Sequence, residues 1–144
     1  CPFERISERM LALRSLDLSH NKLTGVVDFS DKVNGPVARF EVIDLSHNMF
    51  QKAEILSLKF FDRLREFDAS GNNFTGPSTI YGTPSIKYIL LSDNKMEGYL
   101  SYTCWRFTRT VPCDRIIEID VRNNYIGKID REVFRDVPIL RLGG

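Results

Sequence analysis

Few side chains in this sequence could do chemistry. His20 and His47 each stand in the tetrapeptide LSHN, 27 residues apart, and two imidazoles brought side by side could begin a metal site. No third ligand stands near either one. The thiols are Cys1, Cys104 and Cys113. Cys104 and Cys113 fall short of the full ligand set of a structural zinc site, and Cys104 has no histidine close in sequence to activate it as a nucleophile. There is no phosphate-cradling glycine loop, no HExxH and no GxSxG. The expectation is a non-enzyme with no catalytic residue, no metal and no cofactor.

Both histidines belong to a longer recurrence. In residues 13–23, LRSLDLSHNKL, apolar residues fall at Leu13, Leu16, Leu18 and Leu23, with Asn21 two positions before the last. The frame returns as Phe40, Ile43, Leu45, Asn48, Phe50 and as Leu64, Phe67, Ala69, Asn72, Phe74. It returns again as Ile86, Ile89, Leu91, Asn94, Met96 and as Ile116, Ile119, Val121, Asn124, Ile126. The asparagines are spaced by 27, 24, 22 and 30 residues. Within each frame the alternating apolar positions point the same way, so a short strand buries one face and shows the other. One such strand cannot bury that face alone, but stacked coils can. Each asparagine stands where the chain leaves its strand, where its amide can satisfy backbone groups that would otherwise be buried unpaired.

The pattern LxxLxLxxNxL at this period resembles the leucine-rich repeat proteins. The exits Leu23-Thr24-Gly25, Phe74-Thr75-Gly76 and Met96-Glu97-Gly98 are similar to the plant-type subclass. Repeat two departs from it with Phe50-Gln51-Lys52, and in repeat five Gly127 arrives one residue early. The resemblance implies an α/β leucine-rich repeat solenoid, with a single parallel β-sheet on the concave face and short helices or extended segments on the convex face. Segments 53–63 and 129–137 read as helical. Residues 1–144 read as a single array of about five full repeats, with frames starting at 13, 40, 64, 86 and 116. Partial repeats stand at both ends: Phe3, Ile6, Met10 and Leu11 before the first frame, and Phe134, Val137 and Leu140 after the last. That arrangement suits a piece of a longer array.

Composition agrees with one soluble core: 144 residues, 42% hydrophobic, 27% charged. A net charge of +1 gives no global field toward nucleic acid or a membrane surface. No apolar run approaches the roughly 18 residues of a spanning helix.

The 30-residue spacing is the longest, and its excess falls in Tyr102 to Arg115. Insertions of this kind map to loops and often elaborate binding. Trp105, Arg106, Phe107 and Arg109, with Arg115, make a basic, aromatic loop that could meet a partner or cover core on the flank of the coil. Cys104 and Cys113 bracket it. A disulfide between them would contribute about 2–3 kcal/mol if unstrained, and the other possibility is a pair of free thiols in a cytosolic protein. Asn73-Phe74-Thr75 is an N-glycosylation sequon. Together these favour an extracellular or cell-surface location, with a cytoplasmic one as the alternative.

The exposed strand positions should stack into columns about 4.8 Å apart. The third position of the frame runs Ser15, Val42, Glu66, Tyr88, Glu118; the fifth runs Asp17, Asp44, Asp68, Leu90, Asp120; the seventh runs Ser19, Ser46, Ser70, Ser92, Arg122. Six acids and one base make this face net −5 on a chain of net +1. It could take a cationic or hydroxyl-rich protein or peptide, with Tyr88 and Leu90 as an apolar anchor. LDLS is also a common form of the family motif, so Asp17 and Ser19 could be plain scaffold. The expected function is a non-catalytic binding scaffold, akin to receptor or surface ectodomains. The alternatives are a structural subunit held in a filament or large assembly by its ends or loop, and a cytosolic scaffold or inhibitor. None of these uses nucleic acid or inserts into a membrane.

Overall fold

The computed structural model describes residues 12–26, 39–52, 58, 61–106, 109–111 and 113–143. Within them, the side chains of Lys52, Pro77, Ser78, Trp105, Arg106 and Arg109 lie outside the description. Twelve strands lie among the described residues. They are β1 (Ser15–Asp17), β2 (Thr24–Val26), β3 (Val42–Asp44), β4 (Met49–Lys52), β5 (Glu66–Asp68), β6 (Thr75–Gly82), β7 (Tyr88–Leu90), β8 (Lys95–Arg106), β9 (Arg109–Val111), β10 (Glu118–Asp120), β11 (Tyr125–Ile129) and β12 (Ile139–Arg141).

The first sheet runs β1-β3-β5-β7-β10-β12, every neighbour parallel. Its register puts Ser15, Val42, Glu66, Tyr88, Glu118 and Ile139 in one line and Asp17, Asp44, Asp68, Leu90, Asp120 and Arg141 in another. Between the lines point Leu16, Ile43, Phe67, Ile89 and Ile119, all buried, because the two-residue period of a strand turns alternate side chains inward. Leu45, Ala69, Leu91 and Val121 follow in a single buried row, which Leu18 extends at half burial. Each large side chain taken fully out of water contributes about 1.5–3 kcal/mol against the entropy of ordering the coil.

Of the expected short helices or extended segments behind one sheet, the described residues show the extended segments, and these pair into a second sheet rather than leaving the first single. Behind the first sheet lies a second, ordered β11-β8-β6-β4-β2, also parallel, with β9 antiparallel on β8. Its strands form because the exits, unlike in length and sequence, leave their coils at the same place, so extended backbone stacks on extended backbone. Gly25, Gly76 and Gly98 hold φ of +95°, +97° and +84° there, and the register slips at Gly25/Val26 against β4, at Pro77/Thr79 against β8 and at Ile126/Lys128 against β8.

No α-helix is present among the described residues. Of the segment 129–137, Ile129 ends β11 and residues 131–136 are turns. One bond spans four residues (Phe134 N–H to Asp130 O, 3.2 Å), and the next two span three. Nine residues are too few to nucleate a helix in isolation. Most of 53–63 lies outside the described residues; within it, Phe61 N–H bonds Leu58 O and Leu64 N–H bonds Phe61 O, both spans of three.

The asparagines do what their spacing predicts. Asn72 Nδ2 donates to Leu45 O of the preceding coil at 3.0 Å and to Ala69 O and Ser70 O of its own, while its Oδ1 accepts Phe50 N–H at 3.2 Å. Asn48, Asn94 and Asn124 repeat the set, bonding Leu18 O and Leu23 N–H, Ala69 O and Phe74 N–H, and Leu91 O and Met96 N–H. The residue just before each asparagine is His20, His47, Gly71, Asp93 or Asn123, and each has φ between +53° and +65°. These residue types tolerate left-handed backbone better than most. The inserted stretch after Lys95 is an antiparallel hairpin, Cys104↔Val111, Trp105↔Thr110, Arg106↔Arg109, continuing β8 beyond the sheet.

Candidate recognition surface

The expected concave face is the outer face of the first sheet. Of its third-position line, Ser15 is exposed and Val42, Glu66, Tyr88 and Glu118 are half-buried; of its fifth, Asp17 is exposed, Asp44, Asp68 and Leu90 are half-buried, and Asp120 is 5% exposed. Ser19, Ser70 and Ser92 are half-buried, Ser46 is buried and Arg122 is exposed. The structure adds Ile139 and Arg141, which the sequence reading left off this surface. The signal was Val137-x-x-Leu140, the opening of a sixth frame.

Much of the acid on this face also serves the turn that follows it. Asp17 Oδ1 accepts the Ser19 N–H at 2.9 Å and the Ser19 hydroxyl at 2.6 Å. Asp44 accepts Ser46 N–H, and Asp68 accepts both the N–H and hydroxyl of Ser70. Asp120 accepts Arg122 N–H, and its carboxylate also takes the guanidinium of Arg122 at 2.7 Å. Each carboxylate closes the backbone where the chain leaves its strand. The hydrogen bonds from Ser19 hold Asp17 below the ordinary carboxylate value. Burial alone would raise Asp120, but the hydrogen bonds and charge of Arg122, helped by Arg141, outweigh it and hold Asp120 low.

Charge is thus divided along the sheet. At β10 and β12 the acids are paired: Asp120 with Arg122, and Glu118 with Arg141 Nε at 2.7 Å. At β3 and β5, Asp44, Glu66 and Asp68 have no ion-pair partner among the described residues; Arg65 turns instead to Glu41 at 3.1 Å. Tyr88 and Leu90 stand next to this acidic strip, opposite Glu66 and Asp68 in register.

His20 and His47 stack face to face, ring centroids 4.4 Å apart and 16° from parallel. Parallel rings aim their in-plane lone pairs alongside one another, so they do not converge on a shared ion. No group of three ligating side chains forms among the described residues. The sulfurs of Cys104 and Cys113 lie at disulfide distance, 2.01 Å. Asn73 is half-buried, its N–H bound to Phe50 O, and the Thr75 hydroxyl donates to Gln51 O. Phe107 and the side chains of Trp105, Arg106 and Arg109 lie outside the described residues. No helix among the described residues is long and apolar enough to cross a membrane.

Residues 12–30 match the family model for the Leucine Rich Repeat. The crystal structure of the Arabidopsis receptor kinase HAESA, in complex with the peptide hormone IDA and the co-receptor SERK1, superposes on 91% of the chain with a TM-score of 0.57 and 23% sequence identity. The chain spans about a quarter of that receptor chain, 25%. At this identity the likeness shows the fold. No curated protein sequence matches the chain. One frame repeated five times and stacked in register gives the chain the leucine-rich repeat fold, and residues 12–30 match that family's own model.

Proposed function

We propose that residues 1–144 form one non-catalytic recognition array, taking a protein or peptide partner on the outer face of the first sheet, in the extracellular region of a cell-surface or secreted protein. The observation that carries this is the strip at β3, β5 and β7. Three carboxylates without ion-pair partners among the described residues, Asp44, Glu66 and Asp68, border the apolar pair Tyr88 and Leu90. Neither the tyrosine nor the leucine is needed to stack the coils, since the inward line between them is already filled by Phe67, Ile89 and Ile119. A partner that sets a cationic side chain over the acids and an apolar one on Tyr88 and Leu90 satisfies both. The peptide-bound receptor of like fold supports a protein or peptide partner. The cysteine pair and the sequon at Asn73 support a secretory route, with Cys104 and Cys113 bridged and Asn73 carrying a glycan. The hairpin tip, Trp105, Arg106, Phe107 and Arg109, offers a second contact.

The test is peptide selection from a random display library on the wild-type chain. Selected peptides should lose most of their binding to a Tyr88→Ala/Leu90→Ala variant. A Glu66→Lys/Asp68→Asn variant should weaken them about tenfold at low salt and less at high salt. Asparagine at 68 keeps an acceptor for the Ser70 N–H, so the turn is spared. Peptides indifferent to all four substitutions would end this assignment.

A further inference from the structure

A groove of about 440 Å³ opens on the flank of the array, away from the first sheet's outer face. One wall is the base of the inserted hairpin, with Tyr102, Val111 and Cys113; the other is the 131–136 turn, with Val133; Ile116 lies between them. The volume falls within the roughly 300–1,000 Å³ of ordinary ligand pockets. Its floor is core: Tyr102 and Ile116 are each 6% exposed, and the Tyr102 ring packs on Phe134 with centroids 5.0 Å apart. Val111, Cys113 and Val133 are only half-buried, which leaves apolar area open to a visitor.

Two polar features make this more than a crease. Tyr102 lines the groove, and its hydroxyl has no hydrogen-bond partner among the described residues although the residue is 6% exposed. Buried hydroxyls are ordinarily satisfied. Burial raises the Tyr102 phenol above its usual value, and the charge of Asp136 adds to that, so it stays a protonated donor. Among the described residues, the charged ones lining the groove are Asp114 and Asp136, both exposed, with no basic side chain beside them in the lining. The one ion pair of Asp136 among the described residues is with its chain neighbour Arg135, at 3.6 Å and largely in solvent, a contact worth little.

We propose that this groove docks a peptide segment of a partner protein, an aliphatic or aromatic side chain entering between Val111, Cys113 and Val133 with a flanking Lys or Arg over Asp114 and Asp136. The Tyr102 hydroxyl then donates to a carbonyl of the docked backbone. The site is built by the one inserted hairpin and stands apart from the proposed face on the first sheet, so each can fail without the other.

The experiment removes that face first. The full chain carrying Tyr88→Ala and Leu90→Ala, checked for folding by circular dichroism, is the bait for a random peptide display library. Enriched peptides should pair an apolar residue with neighbouring Lys or Arg and should shift the amide resonances of Val111, Cys113 and Val133. Against Asp114→Lys/Asp136→Lys on the same bait their affinity should fall about tenfold, and against Asp114→Asn/Asp136→Asn by less. Both sites are exposed, so the fold tolerates them. Tyr102→Phe should weaken binding several-fold without moving the melting temperature downward. No enrichment, enrichment without regard to peptide charge, or affinities untouched by the aspartate variants would each overturn the proposal.

Discussion

The ring of His47 lies directly over Gly71, so close that a Cβ on Gly71 would stand 2.7 Å from His47 Nδ1. Gly71 also has φ of +65°, in the slot that His20, His47, Asp93 and Asn123 occupy in the other coils. Gly71→Ala should therefore cost about 1–2 kcal/mol, most of it backbone strain. The exposed His47 ring can swing aside, at the loss of its stacking on His20. In Gly71→Ala/His47→Ala the contact part should vanish and the backbone part remain, so urea midpoints of the two singles and the double should be non-additive. A neutral Gly71→Ala would refute the left-handed slot.

Asn72→Ala should cost about 1–3 kcal/mol, because it strands Phe50 N–H and Leu45 O in the interior. Asn21→Ala is the control. Asn21 is exposed and, among the described residues, bonds only Leu18 O and Ser19 O of its own coil, so its loss should be clearly smaller in the same thermal melts.

Asp120 titrates low in the folded state, held there by Arg122 and Arg141 against the effect of burial. A carboxylate with a depressed folded value contributes stability that is fully present above its unfolded value, near 3.8, and lost as pH falls through the folded one. Asp17, lowered by Ser19, acts in the same direction. Carbon-detected titration should place the Asp120 midpoint below 3.8. Asp120→Asn should flatten the acid limb of the stability curve below that pH while leaving its neutral limb lower throughout.

With Cys104 and Cys113 bridged, the native mass should be two hydrogens lighter than that of the reduced chain. Reduction should then lower stability by about 2–3 kcal/mol, the order expected for so short a closed loop. Protection from hydrogen exchange should fall first at β9 and Val111, which the bridge holds against β8.

How far the sequence could be read follows from what repeats and what does not. The frames starting at 13, 40, 64, 86 and 116 lie in one register, because apolar period and asparagine position are both local properties of a coil. The second sheet was hidden, since its pairing comes from stacking unlike crossovers such as 49–52 and 95–106, which share no alternation. IDREVFRDV at 129–137 has helical spacing, and Asp130 Oδ1 even caps Val133 N–H at 3.3 Å, yet the segment closes as turns. On the face of the sheet, the acid column was legible as a column. What each acid does was not, for a bond from Asp44 to the N–H two residues on, or from Arg141 to Glu118, leaves no mark in spacing.

The amides of Asn48, Asn72, Asn94 and Asn124 each reach back to the coil before their own and supply the same three carbonyl bonds and one acceptor. Growth or shrinkage by one entire module therefore leaves no orphaned amide, whereas an excision that stops partway removes a donor and keeps the carbonyl that needed it. Length in such a molecule is quantised: it can change only in complete steps without breaking the internal seam.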